Sequence, residues 1–216
     1  MKIYAISGLG ANERVFDKLT LPANYNLIFI PWLLPHENES MENYAERMAQ
    51  GISHSEDFVL LGLSFGGIVA QEVARIKKPK ILLLFNTVKS DAEKPLWIRV
   101  NKYLKLYRNF PYSLLNRGPL ISWFSGFMQL LNSHRPNLDE LYSMRDELYT
   151  RWAFEQMAWW DRQEELTCEV YHFHGNLDIV FPYWNIKNAI KINGGGHLSI
   201  YVKANDVSAK LRNILK

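Results

Sequence analysis

Asp57-Phe58-Val59-Leu60-Leu61-Gly62-Leu63-Ser64-Phe65-Gly66, followed by Ile68-Val69-Ala70-Gln71-Glu72-Val73-Ala74-Arg75, is the stretch on which this chain turns. The first five residues read as a buried strand and the last eight as a helix. Between them stands a Gly-x-Ser-x-Gly pentapeptide. Alone, those five letters recur by chance. At a strand-to-helix junction they describe a sharp turn that presents the serine. Such a turn forces the serine into strained backbone angles, so its neighbours must be small. The hydroxyl then stands at the carboxyl end of a sheet, beside the positive end of the following helix. Ser64 is therefore the candidate nucleophile.

The rest of the chain supplies the sheet. Apolar runs at Lys2–Ser7, Asn26–Ile30, Phe58–Leu61, Lys80–Phe85, Val170–Phe173 and Ala189–Ile192 read as strands. Helical spacing appears over Asn12–Leu19, over Met41–Ile52 behind the cap Ser40, and from about Leu198 to Leu215. Unbroken apolar strands alternating with helices predict an α/β fold, a mostly parallel sheet with helices on both faces. One segment breaks the rhythm. Lys89 to Thr167 holds helical patterns, no convincing strand, and five of the seven tryptophans: Trp97, Trp123, Trp152, Trp159 and Trp160. A βα connection needs only a few residues outside its helix. The expectation is a core of residues 1–88 and 168–216, with 89–167 inserted as a helical cap that roofs a pocket with those tryptophans.

A serine hydroxyl needs a base, and the base needs an orienting acid. Of the six histidines, His197 follows Gly194-Gly195-Gly196 directly after the last strand, where a glycine loop can fold back over the serine. Asp178 stands four residues after His174 on the turn leaving the fifth strand, before Pro182 opens the next helix. Asp91, six residues past Phe85, is the rival acid, ranked second because a longer path from its strand fixes it less firmly. An oxyanion also needs donors. Phe65 offers a backbone N–H at the start of its helix, and the Gly8-Leu9-Gly10 turn offers another, from Leu9.

Gly62-Leu63-Ser64-Phe65-Gly66, His174-Gly175-Asn176-Leu177-Asp178 and Gly194-Gly195-Gly196-His197, in that order, resemble the α/β-hydrolase superfamily. The resemblance covers nearly the whole chain outside the cap. It implies a serine–aspartate–histidine triad, an oxyanion hole after the first strand, and a cap over the pocket. Two departures stand out. The chain starts at what corresponds to the family's third strand, so the first two edge strands are expected to be missing. The common His-Gly opening of the oxyanion turn reads Ser7-Gly8 here.

Other classes fare less well. At 216 residues the chain fits one domain with one insertion. Its 25 basic and 22 acidic residues leave a net charge of +3 without a dense basic tract, which argues against nucleic acid. The single cysteine, Cys168, excludes an internal disulfide framework and any multi-cysteine zinc site, and reads as a half-buried structural thiol. His172 and His174 share one face of a strand, but no third ligand matches them, so no metal and no cofactor is expected. Gly8-Leu9-Gly10 is too short for a dinucleotide fingerprint. Lys94, Arg99, Lys102, Lys105, Arg108, Arg117 and Arg135 form a basic run free of acids between Pro95 and Asn137, read as a solvated helix face. The first residues read as a strand rather than a signal peptide, and no apolar run approaches a membrane span. The cytoplasm is the default location, with a small-molecule ester-like substrate as the partner and the oligomeric state open. The expected activity is hydrolysis of carboxylic esters or thioesters through an acyl-enzyme. The same triad could instead cleave carbon–carbon bonds or transfer acyl groups, and a non-catalytic ligand-binding member of the fold is the alternative from another class.

Overall fold

The computed structural model describes residues 1–53, 57–105, 138–161 and 165–215. Six strands, β1 (Lys2–Ile6), β2 (Asn26–Phe29), β3 (Phe58–Leu63), β4 (Ile81–Phe85), β5 (Glu169–Gly175) and β6 (Ile190–Ile192), form one sheet in the order β2-β1-β3-β4-β5-β6. Each neighbouring pair runs parallel. Among the described residues no strand lies outside β2 or β6. Every residue of β3 and β4 is buried, as strands covered on both faces require.

Alternation along the strands divides the core in two. Tyr4, Ile6, Leu60, Leu82 and Leu84 face α1 (Met41–Ala49) and α2 (Phe65–Lys77). Ile3, Ala5, Val59, Leu61, Leu83 and Phe173 face the other way, against Val207 and Leu211 of the last helix. Ser40 caps α1 by accepting a hydrogen bond from the Asn43 amide. Lys78 closes α2 in the left-handed region, and Pro79 prevents its continuation.

Between β4 and β5 the described elements are a 3-10 turn, Asp91–Glu93, and the helices α3 (Leu96–Leu104), α4 (Leu138–Leu141) and α5 (Glu147–Trp159). Asp146 caps α5 through the Tyr149 amide, 2.9 Å away. Tyr149, Trp152, Ala153, Met157 and Trp160 join the same apolar cluster as α1 and α2. No described helix is long and apolar enough to cross a membrane.

Three expectations about elements change. Asn12–Leu19 contains only a 3-10 turn, Glu13–Phe16. The helix expected after Pro182 is another, Tyr183–Asn185. The terminal helix is two, α6 (Ser199–Val202) and α7 (Ala204–Ile214), broken at Lys203. At the break the two helices meet different tertiary partners: the buried Ser199 hydroxyl donates to Asn86 at the sheet edge, while the apolar stripe of α7 packs along the sheet face.

Candidate active site

Parallel strands deliver their carboxyl ends to one edge, and ligands of open α/β sheets bind there. Four of these ends carry the residues singled out by the sequence. Ser64 follows β3 with φ 54° and ψ −123°, a conformation no ordinary side chain adopts without strain. The flanking glycines show what the turn demands. A methyl on Gly66 would overlap the carbonyl oxygens of Ser7 and Ile6, and one on Gly62 would meet the backbone of Gly66 and Gly67. The turn is held from β4 as well: the Ser64 amide donates to Phe85 O at 2.9 Å, and the Thr87 hydroxyl donates to Ser64 O at 2.7 Å.

The Ser64 hydroxyl lies 2.8 Å from His197 Nε2. His197 Nδ1 lies 2.9 Å from Asp178 Oδ2 and 3.1 Å from Oδ1. With a carboxylate at Nδ1, that nitrogen carries the proton, and Nε2 is left to accept from the serine. The Asp178 side chain is fully buried and that of His197 only 12% exposed. Phe181 packs edge-on against the imidazole, with ring centroids 5.6 Å apart.

Asp178 is surrounded by donors. Oδ1 accepts from the Val180 and Phe181 amides at 2.9 and 3.1 Å. Oδ2 accepts from Asn86 Nδ2 at 2.9 Å and lies 3.2 Å from His174 Nε2. Burial works to raise this carboxyl, but the His197 charge and the hydrogen bonds from both histidines outweigh it. The acid is held well below the usual carboxylate range. Asp91 is engaged elsewhere: its carboxylate pairs with Lys94 and Arg99.

A pair of histidines stands behind the acid. His174 Nε2 faces two acceptors, Phe181 O at 2.8 Å and Asp178, so it carries a proton. His174 Nδ1 then accepts from His172 Nε2, 3.4 Å away, which leaves His172 Nδ1 buried without a hydrogen-bond partner among the described residues. Burial, reinforced by His174 and Lys89, pushes the His172 imidazole far below its ordinary pKa and keeps it neutral. Among the described residues no group of three or more His, Cys, Asp or Glu side chains converges as metal ligands do.

The turn after β1 lies against the serine, since a methyl on Gly8 would come 3.5 Å from Ser64 Cβ. Phe65 occupies the first position of α2, where an amide has no partner within the helix. Trp152 meets Phe65 edge-on at 6.0 Å and donates its indole N–H to Glu39 O. Trp160 is turned to α2, where its indole N–H donates to Glu72 at 2.7 Å. Trp97 and Trp159 are about half exposed. Trp123 lies outside the described residues, as do Arg108, Arg117 and Arg135 of the basic run.

Two residues at this edge escaped the sequence reading. Asn86, at φ 45° immediately after β4, donates to both Asp178 and Gly196 O and accepts from Ser199. Trp32, just past β2, stacks on Phe65 with centroids 5.6 Å apart. Both were visible as residues at the carboxyl ends of predicted strands, the positions where site residues collect.

No protein-family profile matches the chain, and no curated protein matches it in sequence. Its fold does match solved structures. A thermophilic esterase from Thermogutta terrifontis, solved with malate bound, superposes with a TM-score of 0.68 at 18% identity, covering 100% of this chain and 89% of that one. An alpha/beta superfamily hydrolase from Oenococcus oeni gives 0.62 at 16% identity over 100% and 91%. The RedJ thioesterase of the prodiginine pathway in Streptomyces coelicolor gives 0.60 at 14% over 99% and 89%. With its parallel six-stranded sheet and its serine on the turn from β3 into α2, this chain has the α/β-hydrolase fold.

Proposed function

We propose that the protein is a serine hydrolase of carboxylic esters or thioesters. The observation that carries this reading is the continuous hydrogen-bonded line Asp178–His197–Ser64 at the carboxyl edge of the sheet. Esterases and a thioesterase among the solved structures of like fold lend it support.

The chemistry follows from the line. Ser64 Oγ attacks the acyl carbon as His197 Nε2 takes its proton, and Asp178 offsets the charge on the imidazolium. The carbonyl oxygen becomes an oxyanion facing the Leu9 and Phe65 amides. When the tetrahedral intermediate collapses, the bond to the alcohol or thiol breaks and His197 returns the proton to that leaving group. Water repeats the sequence on the acyl-enzyme, releasing the acid and restoring Ser64. In this reading residues 89–167 cap the pocket over the core formed by 1–88 and 168–216. Trp152, edge-on against Phe65, supports the reading of that cap as a pocket wall.

A fluorophosphonate probe tests the nucleophile. It should label Ser64, identified by peptide mapping, and Ser64→Ala should abolish labelling with an unchanged circular-dichroism spectrum. Undiminished labelling of that variant would sink the reading. Turnover across a panel of activated esters then separates a hydrolase from a binding protein on the same fold.

A further inference from the structure

The oxyanion site depends on one amide in a short turn, that of Leu9, and among the described residues that N–H has no acceptor of its own. A trans peptide is planar, with its C=O and N–H pointing in opposite directions. Whatever fixes the Gly8 carbonyl therefore fixes the Leu9 N–H. Two donors do so: the Ala11 amide at 2.9 Å and the Trp32 indole N–H at 3.0 Å. The next peptide joins the Leu9 carbonyl to the Gly10 amide, and that amide donates to the Tyr149 hydroxyl at 3.2 Å. A side chain from elsewhere thus holds each of the two peptide planes that meet at Leu9.

These side chains arrive from two separate parts of the chain. Trp32 follows β2, and Tyr149 belongs to α5 in the insertion. Trp32 is 7% exposed and Tyr149 is fully buried, so water competes little for either bond. Their rings lie 5.5 Å apart, and Trp32 also stacks on Phe65, the residue that bears the other oxyanion amide. Further bonds tie the turn to the insertion. Gly10, at φ 65°, accepts from the Ser143 and Met144 amides, and Asn12 donates to Leu141 O and Glu140 O. Ser7, which stands where the family commonly has histidine, is held by the same indole, 3.0 Å from its hydroxyl.

We propose that Trp32 and Tyr149 are positioning residues that aim the Leu9 amide at the oxyanion, so that the insertion acts on the chemistry itself as well as on access to the site. The proposal rests on the serine-hydrolase reading. Oxyanion donors work because they are already oriented before charge develops, and losing one outright costs about 100- to 1,000-fold in turnover. Loosening a donor costs part of that.

Tyr149→Phe removes one oxygen and keeps the ring, and Trp32→Phe removes the indole N–H. The readouts are the rate constant for phosphonylation of Ser64 by a fluorophosphonate, whose P=O oxygen takes the oxyanion position, and kcat and KM for an activated ester. Each is measured well below the melting temperature of every variant. Tyr149→Phe should slow phosphonylation and kcat together by about 10-fold with KM nearly unchanged, a split expected when only transition-state binding is lost. Trp32→Phe should cost more, and if it does not fold, Tyr149→Phe alone decides. Wild-type rates in Tyr149→Phe, whether or not its melting temperature falls, overturn the proposal and leave the Ser64 reading standing. A wild-type protein inert to the probe overturns both.

Discussion

Two carboxylates competed for one histidine at the level of single residues, and their surroundings separate them. Asp178 receives N–H donors on both oxygens and lies against His197 Nδ1, whereas Asp91 is spent on Lys94 and Arg99. Asp178→Asn should lower kcat by roughly 10,000-fold, the size of effect expected when an orienting acid is lost. Asp91→Asn should stay within about 3-fold. The reverse ranking in steady-state kinetics would reassign the acid. Behind it, His172 offers a pH test. Its pKa is depressed by folding, so on acidification the unfolded chain takes up a proton at this site before the folded one does. Stability from this site is complete above the ordinary histidine pKa of about 6.5 and is lost progressively below it. His172→Gln keeps a donor for His174 and removes the titration. Compared with that variant, wild type should lose up to about 1.4 kcal/mol per pH unit below pH 6.5 in urea unfolding. Parallel stability curves would refute this account of His172.

At the scale of elements, α5 is tied to the segment between β4 and α3 by a buried cation. Lys94 has no exposed side-chain surface. Its ammonium donates to Asp91 at 3.0 Å, to Ala158 O at 3.2 Å and to Trp160 O, covering carbonyls at the carboxyl end of α5. Lys94→Met would take the ammonium from two buried carbonyls, Ala158 O and Trp160 O, and from Asp91, and thermal or urea unfolding should show a loss of about 3 kcal/mol. The tryptophans divide by the same logic. Trp160 bonds to Glu72 on α2, so Trp160→Phe should lower stability and leave acyl-length preference alone. Trp152 touches Phe65, so Trp152→Leu should move the optimum of an ester series toward longer acyl groups, each methylene being worth roughly 1 kcal/mol or more. An optimum that stays put in a folded Trp152→Leu protein would remove Trp152 from the pocket wall.

For the whole molecule, the described part of residues 89–167 shares its apolar cluster with α1, α2 and one face of the sheet. Such sharing couples the parts, and they should unfold together. Tryptophan fluorescence and far-ultraviolet circular dichroism should report one transition with a single midpoint in urea. A fluorescence transition that precedes loss of secondary structure would show that residues 89–167 melt by themselves.

Local rules made much of this legible in advance. Six apolar runs separated by helical spacing identify the strands because a parallel strand buried on both faces must be apolar throughout. Glycines flanking Ser64 mark the turn because close backbone approach admits no side chain there. Chain order alone placed Asp178 and His197 on loops leaving the same sheet edge. The sequence did not show that Asn86 would join Asp178 to the His197 loop, that α6 and α7 would separate, or that Trp32 and Tyr149 would meet at Gly8-Leu9-Gly10. Those outcomes depend on contacts between residues 24 to 139 positions apart. Periodicity and turn chemistry act over a few residues, so the sequence by itself determined the strands, the turns and the order of the site residues. Only packing of the completed sheet against its helices decided which distant side chains came within hydrogen-bonding reach.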